Sequence, residues 1–274
     1  MSAERSSLVP RSSASRAVLG LLGALVIIFL LLPVLAVIPM SFNDASRFEI
    51  IPSAPCLAQY RAFFADDRWT DALRLSLLVA LGVTTLALVL GTLGALGLAR
   101  LGAKVRSFLE ALFVSPQIVP SIVIAAASYF VFVQLGLIGT AIGIGLVHTL
   151  VAMPFVILIV GSRLQSMSGE LAEASSSLGA GPITTFRRVT LPHISIALIG
   201  SALLAFHASF DEVVLALFLS GARSKTLPVR LWDSILFEVT PSLPAISTIV
   251  LIIPLCIAAL VWLANVAMKR RTSL

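Results

Sequence analysis

The chain has 274 residues, of which 58% are hydrophobic and only 12% are charged, and its mean hydropathy is +1.06. These values lie far from those of soluble domains and predict a protein that resides in a membrane. The net charge of +6 does not indicate nucleic-acid binding, because the basic residues are spread over several loops and form no single basic face.

Runs without charged residues predict six membrane-spanning helices, since each span needs about 20 apolar residues to cross about 30 Å of hydrocarbon. The run over 111–162 is too long for one helix, and we expect it to divide at a turn containing Gly136 and Gly139. The sequence thus predicts an all-α membrane protein with a tail over 1–16, a six-span domain over 17–268 and a basic tail over 269–274. The spans are predicted at about 17–40, 72–100, 108–134, 137–162, 193–219 and 244–268.

Lysine and arginine placement predicts the orientation. Most of these residues fall in the two termini and in the loops on the same side of the predicted spans. Basic residues in short loops are retained in the cytoplasm, so both termini are expected to be cytoplasmic.

The third span contains Pro116 and Pro120, which should bend it, and the freed carbonyls could line a pathway. A helix that is only kinked, without contact to a solute, is an alternative interpretation. The histidines are scattered over different segments, which favours polar contacts between helices over metal binding.

The longest predicted cytoplasmic loop, over 163–192, is a polar segment rich in small side chains. We expect a helix-turn-helix in which Gly179 stops the first helix and Pro182 begins the second. Pro192 is expected to separate this loop from the fifth span. A short helix of small residues can enter a groove on another protein, and packing of the loop against its own spans is an alternative interpretation.

This loop contains Glu173, Ala174 and Ser175, then Gly179 six positions after the glutamate, and it ends with "VTLP". The spacing resembles the EAA loop of bacterial ABC-importer permeases, which has Glu-Ala-Ala, a glycine six positions after the glutamate, and an ending Ile-x-Leu-Pro. The segments "PMSFND" and "SPQIVPSIVIA" resemble the second, C-type permease of spermidine/putrescine importers. The resemblance extends over nearly the whole chain.

This resemblance implies a type I ABC importer permease fold in a bacterial inner membrane. An extracytoplasmic solute-binding protein would deliver solute to two permease subunits, and a dimer of cytoplasmic ATPases would drive transport. The chain has no G-x-x-x-x-G-K-[ST] motif, so we expect ATP and Mg to be bound by the partner ATPase, with no cofactor and no enzymatic activity in this chain. The residues expected to form the coupling contact are Glu173, Ala174, Ser175, Gly179, Leu191 and Pro192.

Two adjacent carboxylates, Asp211 and Glu212, fall in the outer part of the fifth span, where charges are costly unless they face a cavity or a cation. We hypothesise that they lie beside a cationic solute, with His207 placed to pair with Asp211 along the helix. An alternative gives them a gating role through Arg223, Lys225 or Arg230. The candidate pathway residues, including aromatic rings for cation–π contacts, are Phe206, Phe210, Asp211, Glu212, Trp232 and Asp233.

The resemblance favours a polyamine or a similar small organic cation as the solute. The same importer role for an opine, a betaine-like compound or an amino-acid derivative is an alternative. An ATP-independent secondary transporter is a further alternative, although such proteins usually show repeat symmetry or ionisable relays across several spans.

Overall fold

The structure is a computed structural model that describes residues 13–44, 49–167, 174–175, 177–222, 224–238 and 240–272. Over these residues the chain is helical and contains no β-strand. The helices are α1 Ser13–Met40, α2 Ala58–Ala65, α3 Asp67–Leu98, α4 Ala103–Ile118, α5 Ser121–Gln134, α6 Ala141–Gln165, α7 Pro182–Thr185, α8 Leu191–Phe210, α9 Val214–Leu219, α10 Leu227–Phe237 and α11 Leu243–Thr272. A π-helical turn, Phe186–Thr190, joins α7 to α8.

Five of the described helices are long and apolar enough to cross a membrane: Ala17–Met40, Asp67–Leu98, Ala141–Gln165, Pro182–Phe210 and Leu243–Ala264. The pair α4 and α5 together passes the same test but is bent by 96°. The predicted all-α membrane fold is confirmed. We call the side on which α6 ends and α8 begins the loop side, and the opposite side the far side.

The core lies between α3, α6 and α8 and depends on small residues in α3. A side chain at Gly91 would place its Cβ 2.6 Å from the Cβ of Val156, so only glycine allows α3 and α6 to approach this closely. Ala87 and Ile194 are fully buried in the same cluster. By contrast, no residue in the most apolar part of α1 is buried within this chain.

The predicted turn between the third and fourth spans is confirmed. Gly136 and Gly139 both have positive φ, at 67° and 75°, and they lie between the end of α5 and the start of α6. Thr140 then caps α6, because its hydroxyl accepts a hydrogen bond from the Gly143 N–H at 3.0 Å.

The third predicted span, 108–134, is two helices with an extended link between them. Val119 has φ −72° and ψ 130°, a conformation favoured before a proline, and Pro120 has no N–H to continue the helix. The chain therefore turns sharply at this point, and α4 begins earlier than the predicted span did.

The fifth span differs from its predicted extent at both ends. It does not begin after Pro192, because the helix that starts at Pro182 continues through the π-helical turn into α8. Leu191 donates its N–H to the carbonyl of Phe186, five residues back, and this wider π-helical turn accommodates Pro192 without ending the helix. At the other end, α8 stops at Phe210 instead of running to 219.

Candidate functional site

The first candidate site is the hairpin on the loop side. Glu173 lies outside the described residues, whereas Ala174 and Ser175 are helical. The Ala180 N–H bonds to the Ser175 carbonyl at 3.1 Å, and Gly179 between them has φ +79°. This is the Schellman arrangement that ends helices, so the predicted stop at Gly179 is confirmed.

The hairpin is closed by a side-chain contact and presents apolar groups at its tip. The hydroxyls of Ser175 and Thr185 share a hydrogen bond at 2.9 Å, which ties the two arms together. Leu178 is 88% exposed and Ile183 is 76% exposed. A Cβ at Gly179 would meet nothing within 4 Å, so glycine serves the backbone conformation there. The described part of the hairpin thus has exposed apolar side chains on both sides of its turn.

The hairpin is continuous with the membrane helix behind it. Pro182–Phe210 forms one helical rod of 29 residues, which spans about 43 Å at the usual rise per residue. Leu191 and Pro192 lie within this rod. Arg163 at the end of α6 donates from Nε to the His193 carbonyl at 3.2 Å. The second arm of the hairpin and α8 are therefore one continuous helix that also contacts the end of α6.

The second candidate site is the break at the far end of α8. Asp211 ends α8, with its N–H bonded to the His207 carbonyl at 3.1 Å. Glu212 accepts hydrogen bonds at Oε1 from the N–H groups of Val214 at 2.9 Å and Leu215 at 3.1 Å. Glu212 therefore caps α9, and this cap explains why a helix can end and restart here without a proline.

Asp211 and Glu212 border a cavity of about 470 Å³ together with His207 and Ala208. Gln117 and Ser121, from the break between α4 and α5, border the same cavity. The side chains of His207 and Asp211 are exposed. Among the residues that the structure describes, no lysine or arginine forms a salt bridge with Asp211 or Glu212. The cavity is thus lined by apolar as well as polar side chains, and Asp211 and Glu212 supply its negative charge.

The aromatic candidates are mainly packing residues. Phe206 and Phe210 stack with ring centroids 5.5 Å apart, and they are only 4% and 1% exposed. Phe210 packs in a cluster with Phe63 and Trp69. Phe206 also borders a largely apolar groove of about 430 Å³ between α8 and α11, which Asp211 reaches as well.

Trp232 and Asp233 lie on α10, and Asp233 borders a different cavity from Asp211. The Lys225 ammonium pairs with the Asp233 carboxylate at 2.6 Å, and both residues border a far-side cavity of about 260 Å³. Trp232 is 45% exposed. The alternative in which Lys225 holds Asp211 or Glu212 is not seen, since Lys225 is bound to Asp233; Arg223 lies outside the described residues.

His148 joins two core helices, as the sequence suggested for the histidines. Its Nδ1 shares a hydrogen bond with the Ser209 hydroxyl at 3.1 Å, and the side chain is fully buried between α6 and α8.

Sequence reasoning missed Gln117 and Ser121 as residues that line the cavity beside Asp211. The available signal was the pair of prolines at 116 and 120, which mark the break that places both side chains there.

A bundle of membrane helices, a hairpin continuous with one of them and a cavity that two carboxylates border at helix breaks agree with the membrane transport subunit expected from the sequence. The chain belongs to the family of binding-protein-dependent transport system inner membrane components, whose family model matches residues 87–272. It is a transmembrane permease subunit of an ABC importer. Such permeases are transport subunits and not enzymes, and the ATPase of these importers is a separate subunit.

Two curated relatives and one solved structure show which permeases this chain is similar to. The putrescine transport system permease protein PotI of Escherichia coli strain K12 is 31% identical over 233 residues, which cover 81% of this chain and 82% of PotI. The spermidine/putrescine transport system permease protein PotC of Haemophilus influenzae is 28% identical over 232 residues, covering 85% and 90%. The resemblance to polyamine permeases is confirmed.

The fold is similar to that of a chain in the crystal structure of a bacterial alginate ABC transporter in complex with an alginate pentasaccharide-bound periplasmic protein. The TM-score is 0.70 at 16% sequence identity, and the match covers 94% of each chain. The type I permease fold expected from the sequence agrees with this likeness.

Proposed function

We propose that this chain forms half of the solute pathway of an importer in a bacterial inner membrane, and that the solute is a polyamine such as spermidine or putrescine, or a similar small organic cation. The observation that carries the proposal is Asp211, an exposed carboxylate at a helix break that borders a polar cavity and has no salt bridge within the described residues. A carboxylate at membrane depth is costly, and a cationic solute would stabilise it. The transport functions named for PotI and PotC support this solute class.

The importer would contain a second permease subunit, a dimer of ABC ATPases that binds ATP and Mg, and an extracytoplasmic solute-binding protein. Both termini, and hence the loop side, would face the cytoplasm, in line with the placement of basic residues. The uncovered face of α1 is compatible with contact to lipid or to the second permease.

The hairpin would couple ATP hydrolysis to transport. Glu173, Ala174, Ser175 and Gly179 would dock in the ATPase, with Leu191 and Pro192 in the helix behind them. Closure of the ATPase dimer would move the hairpin, and the rod from Pro182 to Phe210 would carry this movement to the cavity. Because packed helices switch between discrete arrangements, a small displacement at the hairpin can open one side of the pathway and close the other.

Uptake of radiolabelled putrescine by proteoliposomes containing the complete importer would test this function. With the binding protein loaded and saturating, Asp211→Asn should lower the uptake rate by about tenfold, since it removes one charge-assisted contact. Asp71→Asn, a change of an exposed carboxylate at the start of α3, is the matched control.

Transport by this chain without an ATPase would contradict the importer role. Uptake by Asp211→Asn at the rate of the unaltered protein would contradict the role of Asp211 in binding the solute, even if ATP-driven transport were confirmed.

A further inference from the structure

Two helix breaks from different parts of the chain meet in the cavity beside Asp211. The first lies between the end of α4 at Ile118 and the start of α5 at Ser121, and the second between Phe210 and Val214. Both breaks contribute to the walls of the same cavity of about 470 Å³. In a membrane, interrupted helices expose backbone groups, and such interruptions are tolerated where they face protein or a polar cavity.

The break between α4 and α5 supplies hydrogen-bond acceptors. Pro120 has no N–H, so the carbonyl of Pro116 loses the donor that a continuous helix would provide. Pro116 removes the same kind of donor from the Leu112 carbonyl, but there the Ser115 hydroxyl donates instead, at 2.7 Å. No described residue donates a hydrogen bond to the Pro116 carbonyl, and Pro116 borders the cavity beside the exposed amide of Gln117.

The break between α8 and α9 divides its two carboxylates between different tasks. Glu212 uses Oε1 to bind two N–H groups of α9, so it holds the shape of the break. Asp211 makes a backbone contact to α8 through its N–H, and its carboxylate is left exposed at the cavity. Asp211 is therefore the carboxylate available to a solute.

We propose that Gln117 and Asp211 bind one primary ammonium group of the solute from two sides of this cavity, which makes Gln117 a specificity-determining residue. The proposal rests on the function proposed above. A primary ammonium carries three N–H donors. The Asp211 carboxylate accepts one, the Gln117 amide oxygen accepts a second, and the Pro116 carbonyl or the Ser121 hydroxyl accepts the third.

This arrangement selects between ammonium groups of equal charge. A quaternary ammonium group, as in a betaine-like compound, has no N–H to donate, so the amide and carbonyl oxygens of the cavity would be left without partners. Unmatched polar groups weaken binding more than a missing apolar contact does. The cavity therefore favours primary amines over quaternary ones.

Relocation of the carboxylate across the cavity tests whether the two residues share one site. The complete importer is measured in proteoliposomes with radiolabelled putrescine and a saturating amount of loaded binding protein, so that capture by the binding protein does not limit the rate. Asp211→Asn lowers uptake by about tenfold. Addition of Gln117→Asp to that variant restores uptake to within about threefold of the unaltered protein, because the charge again faces the ammonium group.

The matched control places the new carboxylate at the other end of the same broken span. Asp211→Asn with Gln134→Asp should remain as impaired as Asp211→Asn alone, because Gln134 is the last residue of α5 and lies next to the far-side turn. Gln117→Leu alone should lower uptake by about tenfold while ATP hydrolysis stimulated by the binding protein stays within about twofold. Gln134→Leu should change neither.

The results separate this proposal from the function on which it rests. One set of results would overturn the role of Gln117 and leave the cation pathway in place. In that set, Asp211→Asn impairs uptake, Gln117→Asp does not restore it, and Gln117→Leu transports normally. Normal uptake by Asp211→Asn would overturn the proposal that the Asp211 carboxylate binds the solute. If Gln117→Leu failed to assemble with its partners, the double variant, which keeps a polar side chain at 117, would still decide the question.

Discussion

The two ends of α8 differ in a way that runs against the usual effect of proline. On the loop side, Pro192 lies within a helix that continues from Pro182 to Phe210. On the far side, the helix breaks at residues 211–213, where there is no proline. The position of a break thus depends on which backbone groups find partners, and the residue type alone does not determine it.

The hydrogen bonds explain the difference. At the loop side, the π-helical turn gives the Leu191 N–H a partner five residues back, and this wider turn accommodates Pro192 within the helix. At the far side, Glu212 binds the first N–H groups of α9, which stabilises a new helix start. The break between α4 and α5 shows the ordinary case, because Val119 is extended before Pro120 and no turn compensates.

The difference fits the two tasks proposed for this helix. A continuous rod at the hairpin transmits displacement without absorbing it, whereas a break at the cavity exposes the Asp211 carboxylate and carbonyls to a solute. Changes at the hairpin should therefore affect coupling to ATP, and changes at the break should affect the rate for a particular solute.

The largest effect is expected for Gly179→Asp at the hairpin. The added charged side chain would project into the proposed ATPase contact, and ATP-driven uptake should fall to background while the chain remains inserted and assembled. Uptake and ATP hydrolysis are measured together in proteoliposomes. Normal ATP-driven transport by this variant would contradict the coupling role.

Gly179→Ala is the graded control for that variant. A Cβ at this position meets open space, so the only intrinsic cost is the positive φ, on the order of 1 kcal/mol for a non-glycine residue. Uptake should fall far less than with Gly179→Asp. Equal losses in both variants would show that hairpin conformation, not the docking surface, is responsible.

An intermediate effect is expected for Glu212→Ala at the break. Loss of a helix cap costs about 1 kcal/mol, which would lower the equilibrium constant for the correctly shaped break by about fivefold. The uptake rate for putrescine should fall by at most this factor, as measured at saturating loaded binding protein.

Glu212→Gln separates the cap from the charge. The amide oxygen can still accept the hydrogen bonds from Val214 and Leu215, so uptake should fall by no more than about twofold to threefold. A loss as large as that of Asp211→Asn would mean that the Glu212 charge acts on the solute directly.

The smallest effect is expected for Pro192→Ala. The helix already passes through this position without interruption. A residue with an N–H should therefore change only a few hydrogen bonds of the π-helical turn. Uptake should change by about twofold or less. A loss comparable to that of Gly179→Asp would show that the π-helical turn itself is needed for coupling.

Local rules made much of this fold predictable. Long apolar runs gave the spans because a helix must be apolar along its length to cross the bilayer. Gly136, Gly139 and Gly179 marked turns because each adopts a positive φ that other residues avoid. The extent of the fifth span was not predictable by the same rules, since it depends on hydrogen bonds that compensate for Pro192 and create the stop after Phe210.

The sequence by itself determined that the chain is a helical membrane protein, that Gly179 ends the first helix of its hairpin and to which family its motifs point, because these properties follow from residues close together in the chain. Only the tertiary structure placed the Asp211 carboxylate in one cavity with Gln117 from a distant break. Glu212 and Asp233 are engaged by partners close to them in the chain, the first N–H groups of α9 and Lys225. The shared cavity depends on how the helices pack, and no local pattern records that packing.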